Sequence, residues 1–88
     1  MSTNSNRIDI SNRLFQVFRD VFDDDTLELT EAMSAQDIPE WDSLAHITLC
    51  IALEREFSIK LNPVEMATLP NIGALIDLLV KHIKEMNA

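Results

Sequence analysis

Trp41-Asp42-Ser43-Leu44-Ala45-His46-Ile47-Thr48-Leu49-Cys50-Ile51-Ala52-Leu53-Glu54-Arg55-Glu56-Phe57 is the stretch whose reading decides the fold. No Gly or Pro interrupts Ala45 to Phe57, and its apolar residues recur at helical spacing, so it reads as one helix. Ser43 stands where that helix begins. Its hydroxyl oxygen has two uses there: to cap the helix, or to be presented to another enzyme and modified.

Placed every 100°, the helix carries two apolar zones. Leu49, Cys50, Leu53 and Phe57 form a stripe that suits a bundle core. Leu44, Ile47 and Ile51, at i, i+3 and i+7, form an adjoining patch. Together they span roughly 220°, about twice the apolar width of an ordinary surface helix. The patch beside Ser43 is therefore the candidate for a partner contact or the edge of a ligand groove. The competing reading is that a short third helix covers it, through Val64, Met66 or Leu69.

Outward from this helix, residues 1–8 read as a flexible polar tail and residues 9–86 as a single domain. A first helix is expected from Ile10 to Phe22, with Leu14, Val17, Phe18 and Val21 at helical spacing and Ile10, Phe15 and Phe22 beside them. Asp23-Asp24-Asp25 ends it with acids against the negative end of the helix dipole. The loop on to Asp42 is long for so small a domain, with Leu27, Leu29, Met33 and Ile38 available to pin it. Pro39 biases Ile38 away from helix. Asn62-Pro63 is an N-cap followed by a first-position proline, which starts a short third helix ending near Pro70. Asn71 then caps a last helix to about Glu85, with Ile72, Leu75, Ile76, Leu79, Ile83 and Met86 on one face. Only Ser58-Ile59-Lys60-Leu61 hints at a strand, and weakly. The fold class is all-α: a small four-helix bundle of three longer helices and one short one.

The 88 residues hold fifteen acids against seven bases, a formal charge of −8. Such a surface repels nucleic acid backbones and anionic membranes and attracts basic protein partners. One glycine, Gly73, cannot build a phosphate-cradling loop. Two histidines and a single cysteine are scattered without metal-ligand spacing, and Asp23-Asp24-Asp25 lacks the glycine and closing glutamate of a calcium loop. His46 lies one turn after Ser43, but no oxyanion hole or nucleophile elbow accompanies them, so no catalytic residue is expected. With no transmembrane-length apolar run and no signal-peptide pattern, a cytoplasmic, monomeric protein is expected.

Asp42-Ser43-Leu44 followed by this helix resembles the attachment site of the acyl and peptidyl carrier proteins. Leu53-Glu54-Arg55-Glu56-Phe57-Ser58-Ile59 resembles the family's closing segment of the same helix, and the resemblance spans about residues 10 to 85. It implies an acyl-carrier-type bundle bearing 4'-phosphopantetheine on Ser43. A separate phosphopantetheinyl transferase would attach the group from coenzyme A with a magnesium ion. The phosphate would meet the positive end of the helix dipole. The arm's thiol would hold acyl or aminoacyl groups as thioesters for a loading enzyme and downstream transferases, and the carrier itself would catalyse nothing.

The resemblance also assigns Asp42 to transferase recognition and Leu44 to partner contact. Glu54 and Glu56 are the acids left for partner recognition, with Ile47 and Ile51. The chain departs from fatty-acid carriers in having Glu40 where they place glycine, Trp41 before Asp42, and Ala45, Thr48 and Arg55 where they place acids. These departures point to a discrete carrier of a dedicated pathway. Trp41 either packs the loop onto the bundle or anchors a partner. The rival function is an acidic helical adaptor that binds a basic partner through Leu44, Ile47 and Ile51, with Ser43 only a helix N-cap.

Overall fold

The computed structural model describes the backbone of residues 3–87 and the side chains of residues 7–85. It contains four helices and, among the described residues, no strand: α1 (Thr3–Val21), α2 (Ser43–Phe57), α3 (Pro63–Ala67) and α4 (Ile72–Asn87). The three long helices pack around one core. It takes Ile10, Leu14, Val17 and Phe18 from α1, Leu49, Cys50, Leu53 and Phe57 from α2, Ile72, Leu75, Ile76 and Leu79 from α4, and Met66 from α3. Burial of these stripes, more than intrinsic helix propensity, is what stabilises the helices.

α1 departs from expectation at its start. It begins at Thr3, seven residues before Ile10, so all but two residues of the expected tail are helical; residues 1 and 2 lie outside the described residues. Polar residues gave no apolar periodicity there, but three contacts hold Arg7. The Ser11 hydroxyl donates to the Arg7 carbonyl at 2.8 Å. The Arg7 guanidinium reaches Glu31 of the loop and Asp77 of α4, pinning α1 to both.

The acids after α1 close the helix by geometry rather than charge. Asp23 adopts a left-handed φ of 51°, Asp24 N–H donates back to the Arg19 carbonyl at 3.0 Å, and Asp23 N–H to Asp20. That pair of bonds is a Schellman closure, which Asp tolerates better than most residues. Ser58 ends α2 in the same way, at φ 54°, with Ile59 N–H donating to the Glu54 carbonyl. The turn places Ile59 and Leu61 in the core, in a segment that is not a strand.

The long loop is pinned much as its apolar residues suggest. Ile38 is buried and Leu29 and Met33 pack against the core, whereas Leu27 is half-buried outside it. The loop backbone also caps α4: Ile72 N–H donates to the Met33 carbonyl and Gly73 N–H to Glu31, each at 2.8 Å. Gly73 eases this approach, because a Cβ there would lie 3.3 Å from the Glu31 carbonyl oxygen and 3.2 Å from its Cβ, closer than most such contacts. Met86, expected on the core face of α4, lies outside the described side chains.

Candidate functional site

The site forms where the loop meets α2. Trp41 sits edge-on to Phe18, with ring centroids 5.2 Å apart at 85°, and tilted to Phe22. This half-buried ring packs the loop onto α1. Asp42 follows in an extended conformation, with φ −95° and ψ −173°, and its carboxylate accepts from Ala45 N–H at 2.8 Å. Its carbonyl accepts from His46 N–H at 2.9 Å. Asp42, not Ser43, is the N-cap of α2.

That assignment frees the serine. Ser43 is exposed, and among the described residues its hydroxyl has no hydrogen-bond partner. Nor do the N–H groups of Ser43 and Leu44 meet a protein acceptor there. The adaptor reading, in which Ser43 serves only as a cap, therefore loses its premise. A bare hydroxyl beside two open N–H groups, at the positive end of a fifteen-residue helix, suits an attached phosphate.

A relay fixes the flank of this position. Trp41 Nε1–H donates to His46 Nδ1 at 3.1 Å, and His46 Nε2 lies 3.0 Å from the Pro63 carbonyl oxygen. An indole N–H only donates and a carbonyl only accepts, so these two contacts ask Nδ1 to accept and Nε2 to donate. The two rings lie nearly parallel, at 19°. Loop, α2 and α3 are thereby tied around Ser43. The resulting open groove is lined by Trp41, Asp42, Ser43, His46, Ile47, Pro63, Val64 and Ala67, an apolar channel whose polar groups gather at the Ser43 end.

α3 does not cover the patch on α2. Leu44 is 75% exposed, Ile47 49% and Ile51 47%. Met66 turns into the core and Leu69 packs against it, while Val64 is itself exposed beside the groove. The two glutamates expected to meet partners are used within the fold. Glu54 accepts from Leu61 N–H at 2.8 Å, holding the turn after α2. Glu56 pairs with Arg13 at 2.8 Å, and the Arg13 guanidinium lies 4.4 Å from the Phe57 ring centre. Cys50 is buried as its place in the stripe predicts. Burial pushes its thiol pKa up, with the Glu54 charge adding to the rise.

The His46 relay, the Glu54 cap and the Arg7 clamp escaped the sequence. A histidine five residues after a tryptophan signals nothing by itself, and a backbone carbonyl from another helix has no sequence signature. No helix of the described residues is long and apolar enough to cross a membrane.

Residues 12–79 match the family described as the phosphopantetheine attachment site. The fold superposes on the solution NMR structure of the holo acyl carrier protein from Geobacter metallireducens with a TM-score of 0.78. The two share 42% sequence identity over 86% of this chain and 87% of that one. Comparison with curated proteins found no match.

Proposed function

The chain belongs to the phosphopantetheine attachment-site family, and from that membership we propose that Ser43 is the residue that carries its 4'-phosphopantetheine group. The observation that carries the proposal is the open start of α2. Asp42 takes the capping duty, leaving the Ser43 hydroxyl and two N–H groups uncommitted. The residues present fit the group: Ser43 Oγ supplies the ester oxygen, and the N–H groups of Ser43 and Leu44 face the phosphate's charge. Asp42 holds the helix start in shape for the transferase. The apolar groove of Ile47, Val64 and Ala67 shelters the arm or a short cargo. When bound, the group supplies a terminal thiol that holds acyl or aminoacyl cargo as a thioester. Tethering keeps such an intermediate at high effective concentration for successive enzymes.

Within the carrier class, we assign the chain to a dedicated pathway served by its own loading enzyme. The support is the surface of α2, where Ala45, Thr48 and Arg55 leave Leu44, Ile47 and Ile51 as the dominant exposed feature. Glu54 and Glu56, already engaged, act on partners only indirectly, by holding α2 and the turn that follows it.

Incubation with coenzyme A, magnesium and a broad-specificity phosphopantetheinyl transferase tests the attachment. Intact mass should rise by one phosphopantetheine in the wild type and stay unchanged in Ser43→Ala. A gain that survives Ser43→Ala, or none in the wild type, would falsify the assignment.

A further inference from the structure

His46 joins both walls of the groove that begins at Ser43. From α2 its half-buried ring meets Trp41 Nε1–H of the loop at 3.1 Å and the Pro63 carbonyl oxygen of α3 at 3.0 Å. Among the described residues no other hydrogen bond joins α2 to α3. The Trp41 ring rests on Phe18 and Phe22 of α1, so the loop is held from two sides, by packing on α1 and by one hydrogen bond to α2.

The two bonds need different protonation at the two ring nitrogens. Nδ1 must keep its lone pair to accept from the indole, and Nε2 must carry a hydrogen to donate to the carbonyl. A second proton can go only to Nδ1, where it points at the indole N–H. Donor then faces donor, and the Trp41 bond breaks. The Pro63 bond survives, because a charged donor binds a carbonyl more strongly than a neutral one. Histidine is the side chain whose ordinary titration falls between about pH 5 and pH 8. Few other charges surround the ring. The loop offers Asp42, which accepts from Ala45 N–H, while Glu40 lines a different groove with Val21 and Phe22. α1 backs Trp41 with Phe18 and Phe22. α3 brings Pro63, Val64 and Ala67 to the groove, and its Glu65 does not line it. Cys50, one turn along α2, is a buried thiol whose pKa burial raises, so it keeps its proton in this range.

We propose that His46 is a positioning residue for the phosphopantetheine arm, tying the loop and α3 along the groove, and that one proton on its ring releases the loop wall. The effect on the arm rests on the carrier reading of Ser43; the release of Trp41 does not. With the ring neutral, Trp41, His46, Ile47, Val64 and Ala67 frame one apolar channel leading from Ser43. When Nδ1 takes a proton from solvent, Trp41 stays on Phe18 and Phe22 and His46 stays with Pro63. The wall therefore parts between the two rings, whose centres already lie 6.1 Å apart. The arm loses that side of its shelter, and an imidazolium at the edge makes the remainder less apolar. Acidification thus turns the groove from one that shelters the arm into one that presents it.

The test compares the full wild-type chain with His46→Gln and His46→Leu. Glutamine offers a carbonyl to Trp41 and an amide N–H to Pro63 but takes up no proton, whereas leucine makes neither bond. The single tryptophan gives one indole N–H signal in the NMR spectrum. In the apo wild type at about pH 7.5, the His46 nitrogen signals should show hydrogen on Nε2 alone, and the indole should exchange about tenfold more slowly than in His46→Leu. At about pH 5 the ring should be doubly protonated and the indole should exchange as fast as in His46→Leu, while His46→Gln stays protected. In the holo chain, nuclear Overhauser contacts from the arm to Ile47 and Val64 should be present at about pH 7.5 and absent at about pH 5, with His46→Gln keeping them at both. A ring still singly protonated at about pH 5, an indole no better protected at about pH 7.5 than in His46→Leu, or arm contacts that outlast the release of the indole each overturns the proposal. Intact mass of the holo samples separates the two levels. An unmodified Ser43 sinks the carrier reading, and the apo measurements decide the release of Trp41 without it.

Discussion

Two of the helices begin in opposite ways, and the difference locates the function. At the start of α4 every early donor is closed by the protein. Ile72 N–H meets the Met33 carbonyl, Gly73 meets Glu31, Ala74 meets the Asn71 side chain at 2.9 Å, and Leu75 meets the Asn71 carbonyl. At the start of α2 the third and fourth donors, Ala45 and His46, are closed by Asp42, while those of Ser43 and Leu44 remain open among the described residues. Both starts have a good cap, in Asn71 and Asp42. What differs is the loop, which offers the Met33 and Glu31 carbonyls to the first donors of α4 and, among the described residues, no acceptor to Ser43 or Leu44. A sealed start stabilises the bundle; an open one is available for an anion.

The largest test of this contrast compares the apolar residues at the two starts. Ile72, fully buried, should cost about 2–5 kcal/mol on change to Ala. Leu44→Ala should stay within about 0.5 kcal/mol, because the side chain it removes is already in water. Chemical denaturation of the two variants reads both numbers, and comparable losses would mean that the α2 patch is interior.

The caps should behave alike. Asp42→Ala and Asn71→Ala should each cost about 1 kcal/mol. Gly73→Ala sharpens the comparison further. Alanine gains about 1 kcal/mol of helix propensity, but its Cβ presses on the Glu31 backbone, and overpacking of this kind costs about 1–3 kcal/mol. A net loss of stability is expected, and a higher melting temperature would show that the loop is not tightly seated on α4. Ser43→Ala should leave stability within about 0.5 kcal/mol, since its hydroxyl bonds nothing in the fold.

Thiol titration gives the last and smallest contrast. Cys50 is 1% exposed, and burial followed by the Glu54 charge raises its pKa. The native apo chain should therefore react negligibly with a thiol reagent, and the holo chain should show one fast thiol, that of the arm. The sign of the linkage follows. The unfolded thiol releases its proton first, so the raised native pKa erodes stability as pH climbs past the ordinary thiol value of 9.0. A Cys50→Ala variant with the same alkaline decline would show that another group is responsible.

Helix order, the core stripe of α2 and the exposure of its patch were legible because apolar period and turn residues are local signals. Leu49, Cys50, Leu53 and Phe57 all lie where the 100° spacing puts them. The start of α1 was not legible, because Arg7 is held there by Glu31 and Asp77, which are distant in sequence. The site was half legible. Asp42-Ser43 marks a helix start, but which of the two caps it depends on the extended backbone at Asp42. Glu54 and Glu56 read as surface acids until the turn at Ser58 brings Leu61 N–H to one and α1 brings Arg13 to the other.

The most direct measurement is residue-resolved: amide spectra of the apo chain and of the same chain after conversion by the transferase. The Ser43 and Leu44 N–H signals should exchange rapidly with solvent in the apo form and show the largest shifts on modification, while Ile72 and Gly73 remain protected and nearly unmoved. Unshifted Ser43 and Leu44 signals in a fully modified chain, or shifts as large at Ile72 and Gly73, would contradict an open α2 start built to take the phosphate.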